Sequence, residues 1–350
     1  MSVHLEVIEP GLATTIQDLG RRGWQRFGIS ESGAMDPVAL ATANALVGNT
    51  VGTAALEVTL AGPVLACING DTRIALAGAD FAMAIDGRPV ASHETHDLKS
   101  GQHLVIGAAR DGARAVLAVS GGFQIKPMLG SVATHSRSQL GGLNGGPLRK
   151  GDLLPLALPG LPGRPHLMVS PTNRVRPNGP VRVLLGPQDD AFSAEGIATF
   201  LGSDYAVTPL SDRMGCRLEG PRVAHASAVG IVSDGIVFGS IQIPGNGQPI
   251  ILLADRQTTG GYPKIATVIS ADLPRLAQLR PGERVHFQSI EEDEAVKLVR
   301  EMRRQIDRVG DSMIEVHGGS NLTSEHLLAS NLISGVISAL EWVQADVATS

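Results

Sequence analysis

Pro249-Ile250-Ile251-Leu252-Leu253-Ala254-Asp255-Arg256-Gln257-Thr258-Thr259-Gly260-Gly261-Tyr262-Pro263-Lys264 is the stretch from which the fold of this 350-residue chain is read. Its first six residues form a short apolar run rich in branched side chains, the pattern of a buried strand. The next ten hold an acid, a base, an amide, two hydroxyls, two glycines, a phenol and a lysine. A rigid strand end that delivers so much polar chemistry to a Gly-Gly turn is where a small-molecule site is expected. The plainer reading is a solvated turn whose glycines only supply positive φ.

Working outward, the 42 glycines and 21 prolines punctuate short apolar runs throughout the chain. Strands are expected near 3–8, 54–60, 73–76, 103–106, 115–119, 181–185, 229–232, 236–238, 250–253 and 284–287. Asp86-Gly87, after the run 81–85, is a hairpin signal. Many short strands between Gly/Pro turns favour barrels or sandwiches over a doubly wound sheet. The chain therefore reads as mainly β, with a few short helices.

One helix is expected from Asp36 as N-cap and Pro37 at the first helical position to Val47, stopped by Gly48. Val38, Ala41, Ala45 and Leu46 form its apolar stripe, and Asn44 inside it is either solvated or aimed at a site. A second helix is expected from Asp190 to Leu201. After Ser289 the style changes. Acids at 291–294 lead into a helix that ends in arginines, as the macrodipole favours, with Val296, Val299, Met302, Ile306 and Val309 on one face. A further helix is expected over 324–343.

These features divide the chain into an N-terminal β domain (1–158), a Pro-rich linker (159–180), a second β domain (181–290) and a helical extension (291–350). A weak echo links the halves. Gln17-Asp18-Leu19-Gly20-Arg21 and Ser211-Asp212-Arg213-Met214-Gly215 both set Asp and Arg beside Gly, as in a duplication. The polar segment 134–142, within a glycine-rich zone, reads as a mobile loop or lid.

Bulk properties narrow the function. Apolar residues make up 43% of the chain and charged residues 18%, enough for packed cores. With 3% aromatics and a net charge of −5, nucleic acid and anionic membranes are poor partners. No apolar run reaches the length of a membrane span. Only two cysteines occur, Cys67 and Cys216, which fits a reducing cytoplasm. No phosphate-loop or dinucleotide fingerprint occurs. The spacing at Gly260-Gly261 is wrong for a phosphate cradle, and Pro263 removes an N–H that one would use. His93-Glu94-Thr95-His96 has the wrong spacing for a zinc helix, so no metal is expected and a solvated edge is the favoured reading. No Met-Lys-Met occurs, so the chain is not its own biotin carrier.

Further motifs lie between these signals. They are Thr15-Ile16-Gln17-Asp18-Leu19-Gly20-Arg21, Gly33-Ala34-Met35-Asp36, Ala43-Asn44-Ala45-Leu46-Val47-Gly48-Asn49, Leu56-Glu57-Val58-Thr59 and Gly130-Ser131. The second half adds Gly186-Pro187-Gln188, the run from Asp212 to Leu218, the run from Gly239 to Pro244, and the opening decapeptide. Taken in order, they resemble the carboxyltransferase subdomain A/B family. That family comprises the C-type subunits of 5-oxoprolinase, allophanate hydrolase subunit 2-like proteins and the carboxyltransferase domain of urea carboxylase. The resemblance runs from about residue 5 to residue 287.

The resemblance implies two cyclophilin-like β-barrel domains, here with a helical C-terminal appendage. It implies a B-type partner protein and, in the oxoprolinase branch, an A-type partner protein as well. Together they open 5-oxoproline, with ATP bound by this chain or by a partner. The urea branch instead implies carboxybiotin on a separate carrier, with carboxyl transfer to urea or a similar amide. A third branch is a non-catalytic regulator that acts with its B-type partner. Each substrate is a small, unreactive amide. Lys264, Arg213 and Arg21 are candidates for placing positive charge where an oxyanion develops. Asp255 and Asp18 are candidates for orienting an amine or water, or for acting as a base. Gln17, Asn44, Gln242, Gln257 and Thr258 are candidates for holding the amide edge. Tyr262 is a candidate for covering the ligand or donating its hydroxyl, and Gly260 and Gly261 for letting backbone N–H groups approach closely. All are expected in one cleft between the two β units.

Overall fold

Alternating or continuous apolar runs build two β bodies, and each encloses its own core. The computed structural model describes residues 2–316 except 159, 162, 171–177 and 227–229. The first body is a nine-stranded sheet. Its path runs Ala13–Gln17, Ala55–Thr59, His103–Val119, Val64–Ile68, His4–Glu9 and Leu153–Pro155. The long strand Thr72–Ile85 pairs along His103–Val119 and carries Arg88–Val90 and Thr95–Leu98 on its other edge. Runs expected as separate strands at 103–106 and 115–119 are thus one 17-residue strand. The Asp86-Gly87 turn forms as expected, with φ of 47° and 76°. Leu5, Leu56, Leu76, Phe81, Leu104 and Leu117 lie at the centre of this core.

The second body is a closed barrel of seven strands. They are Val181–Leu185, Lys264–Val268, Ser240–Gln242, Ile250–Leu252, Gly215–Glu219, Asp204–Val207 and Arg284–Ser289, in that order around the barrel. The opening apolar run supplies one strand, Ile250–Leu252, paired on both sides. Phe200, Tyr205 and Phe287 fill the interior, with Phe200 and Phe287 stacked at 4.6 Å. The fold is mainly β, as expected, but only the second body closes into a barrel. Cys67 and Cys216 are both free and buried, one in each core.

The helix Pro37–Leu46 begins as its sequence requires. The Asp36 carboxylate accepts from the Ala39 N–H at 2.9 Å, and Pro37 occupies the first position. Its buried face differs from the expected stripe: Ala39, Leu40, Ala43 and Leu46 pack inward, while Val38 and Ala45 are only half-buried. The cause is that this helix packs on the strands Thr72–Ile85 and His103–Val119 through its small residues. The second helix starts later than expected, at Ala194, because the Ser193 hydroxyl caps it through the Gly196 N–H. Residues 230–232 and 236–238 form no strand. Instead the pair Asp234–Gly235 forms a two-residue ribbon with Thr259–Gly260.

Within the Pro-rich region, Leu167–Val169 pairs with Met313–Glu315, so this part of the segment is extended but docked. The acidic start and basic end predicted for the helix after Ser289 appear in Glu292–Asp307. The helix expected over 324–343 lies outside the described residues. No helix among the described residues is long and apolar enough to cross a membrane.

Candidate functional site

The polar residues singled out in the sequence separate into three groups. In the first, Gln17, Asp18 and Arg21 fasten the segment 128–135 to the sheet. Asp18 accepts from Gly20 N, Ser131 Oγ and Val132 N at 2.6–2.8 Å. Arg21 donates to the carbonyls of Ala133 and Met128, and Gln17 to that of Thr134. Arg21 is almost fully buried, and desolvation lowers its pKa against the opposing pull of Asp18 and Asp255. Segment 134–142, expected to be mobile, is anchored at its start. Thr134 and His135 are buried, and His135 Nε2 lies 3.2 Å from the Asp255 carbonyl.

Asn44 joins none of these groups. It is fully buried, and its amide is bonded within the protein. It donates to the Thr53 carbonyl and accepts from Asn49, whose amide reaches the Val119 carbonyl. This network ties the helix end to the sheet, and satisfying buried polar groups in this way explains an Asn in a helix interior.

Arg213 centres the second group. Its guanidinium donates to both Asp255 oxygens at 2.9 and 3.0 Å, to Glu57 Oε1, and to the Gly33 carbonyl at 2.7 Å. Glu57 stands on the sheet strand Ala55–Thr59, whereas Arg213 and Asp255 flank barrel strands, so the group clasps the two bodies together. Both carboxylates are buried, their side chains 2% and 7% exposed. Burial works against the Arg213 charge, but Glu57 and Asp255 outweigh it and raise its pKa. Arg213 and Asp255 also line a cleft of about 450 Å³ between the bodies, with Leu12, Thr15 and Leu60 on the sheet side. The expected inter-body cleft therefore exists, but Lys264 is not among its lining residues.

Lys264 belongs to the third group, at the opposite end of the short barrel strands. Gln242 is in register with both Lys264 and Ile250, while Gly215 faces Leu252 at the Arg213 end. The Lys264 ammonium donates to Asp234 Oδ2 at 2.5 Å and to the Gly235 carbonyl at 2.8 Å. Gln188 Nε2 donates to the same Asp234 oxygen at 3.1 Å. Its side-chain carbonyl accepts from the Lys264 N–H at 3.1 Å. The Lys264 side chain is 3% exposed, but that of Asp234 is 52% exposed. The Lys264 hydrogen bond, aided by Gly235 and Gln188, holds the Asp234 carboxyl below its usual range.

Gln242 is buried beside this group and donates to the Tyr262 carbonyl at 3.3 Å. Gly260 and Gly261 do not supply positive φ. Instead Gly260 supplies space, because a Cβ there would lie 2.7 Å from both Gln242 Nε2 and Ile236 Cδ1. The turn packs against the protein's own side chains, so it does not fit a phosphate cradle. Tyr262 and Gln257 are exposed. Thr258 contributes its backbone carbonyl to Ile236 N.

Glu57, Asp234, Gln188 and Arg256 were not among the expected site residues. Glu57 carried a usable signal, since a carboxylate inside an apolar strand needs a buried partner. Arg256 is buried, donates to Glu31, and has its pKa lowered by desolvation. Asp234 gave no such signal, because an Asp-Gly pair reads as an ordinary turn. His93 is not on a solvated edge: its ring meets the backbone of Gly78 and the Ser92 hydroxyl. No group of three His, Cys, Asp or Glu among the described residues could hold a metal.

The fold is thus a β sheet joined by a buried ionic clasp to a closed barrel. The chain belongs to the family described as carboxyltransferase domain, subdomain A and B, whose model matches residues 27–289. It is 37% identical to the 5-oxoprolinase C subunit of Haemophilus influenzae, over 87% of this chain and 97% of that protein. It is 31% identical to urea amidolyase of Lachancea kluyveri, over 92% of this chain but 18% of that protein. The crystal structure of K. lactis urea amidolyase superposes with a TM-score of 0.81 at 30% identity. That match covers 87% of this chain and spans about a fifth (20%) of the amidolyase chain.

Proposed function

We propose that this chain is the C-type component of an ATP-dependent 5-oxoprolinase, which converts 5-oxoproline, ATP and water to glutamate, ADP and phosphate. The observation that carries this reading is the match to the H. influenzae oxoprolinase component over 97% of that protein, at higher identity than the amidolyase match. In this reading the chain works with A-type and B-type partner proteins. ATP is then bound by a partner protein, and the Gly260-Gly261 turn takes no phosphate.

Amide resonance opposes attack on the lactam carbonyl, so the enzyme must hold the ring firmly beside positive charge. Among the expected cations, Lys264 is the one paired with a carboxylate that is half exposed to solvent. Its ammonium and the Gln188 amide converge on one carboxylate oxygen, so together they can draw in a substrate oxygen. Arg213 and Asp255 serve instead as the clasp that sets the loop leading to Lys264. Reconstitution with both partner proteins tests this reading. ADP release that depends on 5-oxoproline, together with glutamate formation, is expected, and Lys264→Ala should abolish both while the fold persists. Near-normal turnover by that variant removes Lys264 from the chemistry.

Carboxyl transfer from carboxybiotin on a separate carrier to urea or a similar amide is the second reading. The structural likeness to K. lactis urea amidolyase favours it. Urea-dependent consumption of carboxybiotin, with no response to 5-oxoproline, would establish it. Binding of the B-type partner with turnover of neither substrate would leave a regulatory role.

A further inference from the structure

The Lys264 end of the barrel already binds a carboxylate, and that carboxylate is the protein's own. Asp234 Oδ2 receives one hydrogen bond from a buried ammonium and a second from the Gln188 amide. Two convergent donors, one of them charged, are what carboxylate recognition requires. The carboxylate that fills this position is half in water. Asp234 sits on a two-residue ribbon with Thr259 and Gly260, flanked by backbone bonds from Ile231 to Gly261 and from Ile236 to Thr258. The backbone is therefore held, while the Asp234 side chain is free to turn toward solvent. Val232, two residues before it, is 92% exposed, so the approach to the ribbon has little packing. The donors, by contrast, are rigidly placed. Lys264 opens a strand paired on both sides, and the Gln188 amide is bound to the Lys264 backbone.

We propose that Lys264 and Gln188 form a carboxylate-binding site that Asp234 closes by occupying it, and that a small carboxylate ligand enters by displacing Asp234. The exchange is favourable in principle because each side keeps its charge balance. Lys264 trades one carboxylate for another inside the barrel end, and Asp234 moves into water from a position already half in it. A ligand without a carboxylate cannot make this exchange, since it would leave the buried ammonium without a counter-charge. The proposal deepens the oxoprolinase reading, because 5-oxoproline carries a carboxylate beside its lactam and urea carries none. The ring carboxylate would then anchor the substrate at Lys264.

Titration of the full chain with three probes tests this, followed by NMR or calorimetry: formate, L-5-oxoproline and the neutral lactam 2-pyrrolidinone. Asp234→Asn removes the internal competitor, so the apparent affinity for formate and 5-oxoproline should rise about 10-fold. Binding of 2-pyrrolidinone should not change. Asp190→Asn, which removes an exposed acid from the same region, should leave all three unaltered and so controls for a general loss of negative charge. Gln188→Ala should weaken both carboxylates, and this half-exposed position keeps the test usable if a change at Lys264 disturbs folding. Formate affinity that is unchanged or weakened in Asp234→Asn overturns the proposal. Formate behaving as expected while 5-oxoproline fails to bind would uphold the carboxylate site and count against the oxoprolinase reading alone.

Discussion

Arg213 and Lys264 are both basic residues at the ends of short barrel strands, and both were expected in one cleft. The protein uses them in opposite ways. Arg213 faces two buried carboxylates from two different β bodies, and its guanidinium also takes a backbone carbonyl. Lys264 faces one carboxylate, and that one is half in water. The difference teaches that a buried cation's role is set by its partner's exposure. Where the partner is equally buried, exchange would strand a charge in low dielectric, so the pair is structural. Where the partner can return to water, the pair can open and a ligand can take its place.

The largest effect should come from breaking the clasp. Arg213→Met leaves Glu57 and Asp255 buried without a counter-ion and should destabilise the chain by about 3–5 kcal/mol in urea unfolding. A loss under about 1 kcal/mol would show that the clasp is not structural and would erase the contrast with Lys264.

Next in size is Gly260→Ala. The added methyl meets Gln242 Nε2 and Ile236 Cδ1 at 2.7 Å, and overpacking of this kind costs about 1–3 kcal/mol. Proteolysis or amide exchange should show the ribbon at Asp234–Gly235 loosened while the barrel core stays protected. Uniform loss of protection would mean that the turn is part of the core.

A smaller fall in melting temperature is expected for Lys264→Met, because Asp234 then simply hydrates. If Lys264→Met melts as low as Arg213→Met, the two centres do not differ as argued.

The smallest effect is a pH dependence confined to the Lys264 end. The folded pKa of Asp234 lies below its unfolded value. Its contact is therefore fully present above the unfolded value, near 3.9, and is lost as pH falls through the depressed folded value. The protection factor of the Gly235 amide, its exchange rate relative to the intrinsic rate at the same pH, should fall in that acid window. Its Arg213 counterpart stays cationic throughout, because its pKa is raised. A loss of protection that begins near neutral pH would assign the ribbon's hold to some group other than Asp234.

Much of the architecture was legible because it is written in local patterns. The Asp36-Pro37 start, the Asp86-Gly87 turn and the apolar runs at 73–76 and 81–85 each involve neighbours a few residues apart. Even the echo between the halves is locally real. Asp18 accepts from the N–H of Gly20, and Asp212 from those of Met214 and Gly215, so each carboxylate caps its own turn. The bodies that carry the echo differ in closure, one an open sheet and the other a closed barrel. Segments 230–232 and 236–238 were misread as strands because branched residues have the right composition for a strand. In the structure, the chain there runs beside the Lys264 end of the barrel.

Sequence by itself determined the mainly β architecture, the Asp36-Pro37 helix start, the family and the polarity of the turn at 255–264. Only the tertiary structure decided which charges meet. Glu57 and Arg213 are 156 residues apart, and Asp234 and Lys264 are 30 apart. Hydrogen-bonded turns and strand periodicity act over a few bonds of chain, so composition and spacing reveal them. An ion pair depends on distance and on how much water reaches each partner, and both are set only when the sheet and barrel have closed. For that reason one polar stretch contributes Asp255 to a permanent clasp at one end of the barrel and Lys264 to an exchangeable pair at the other.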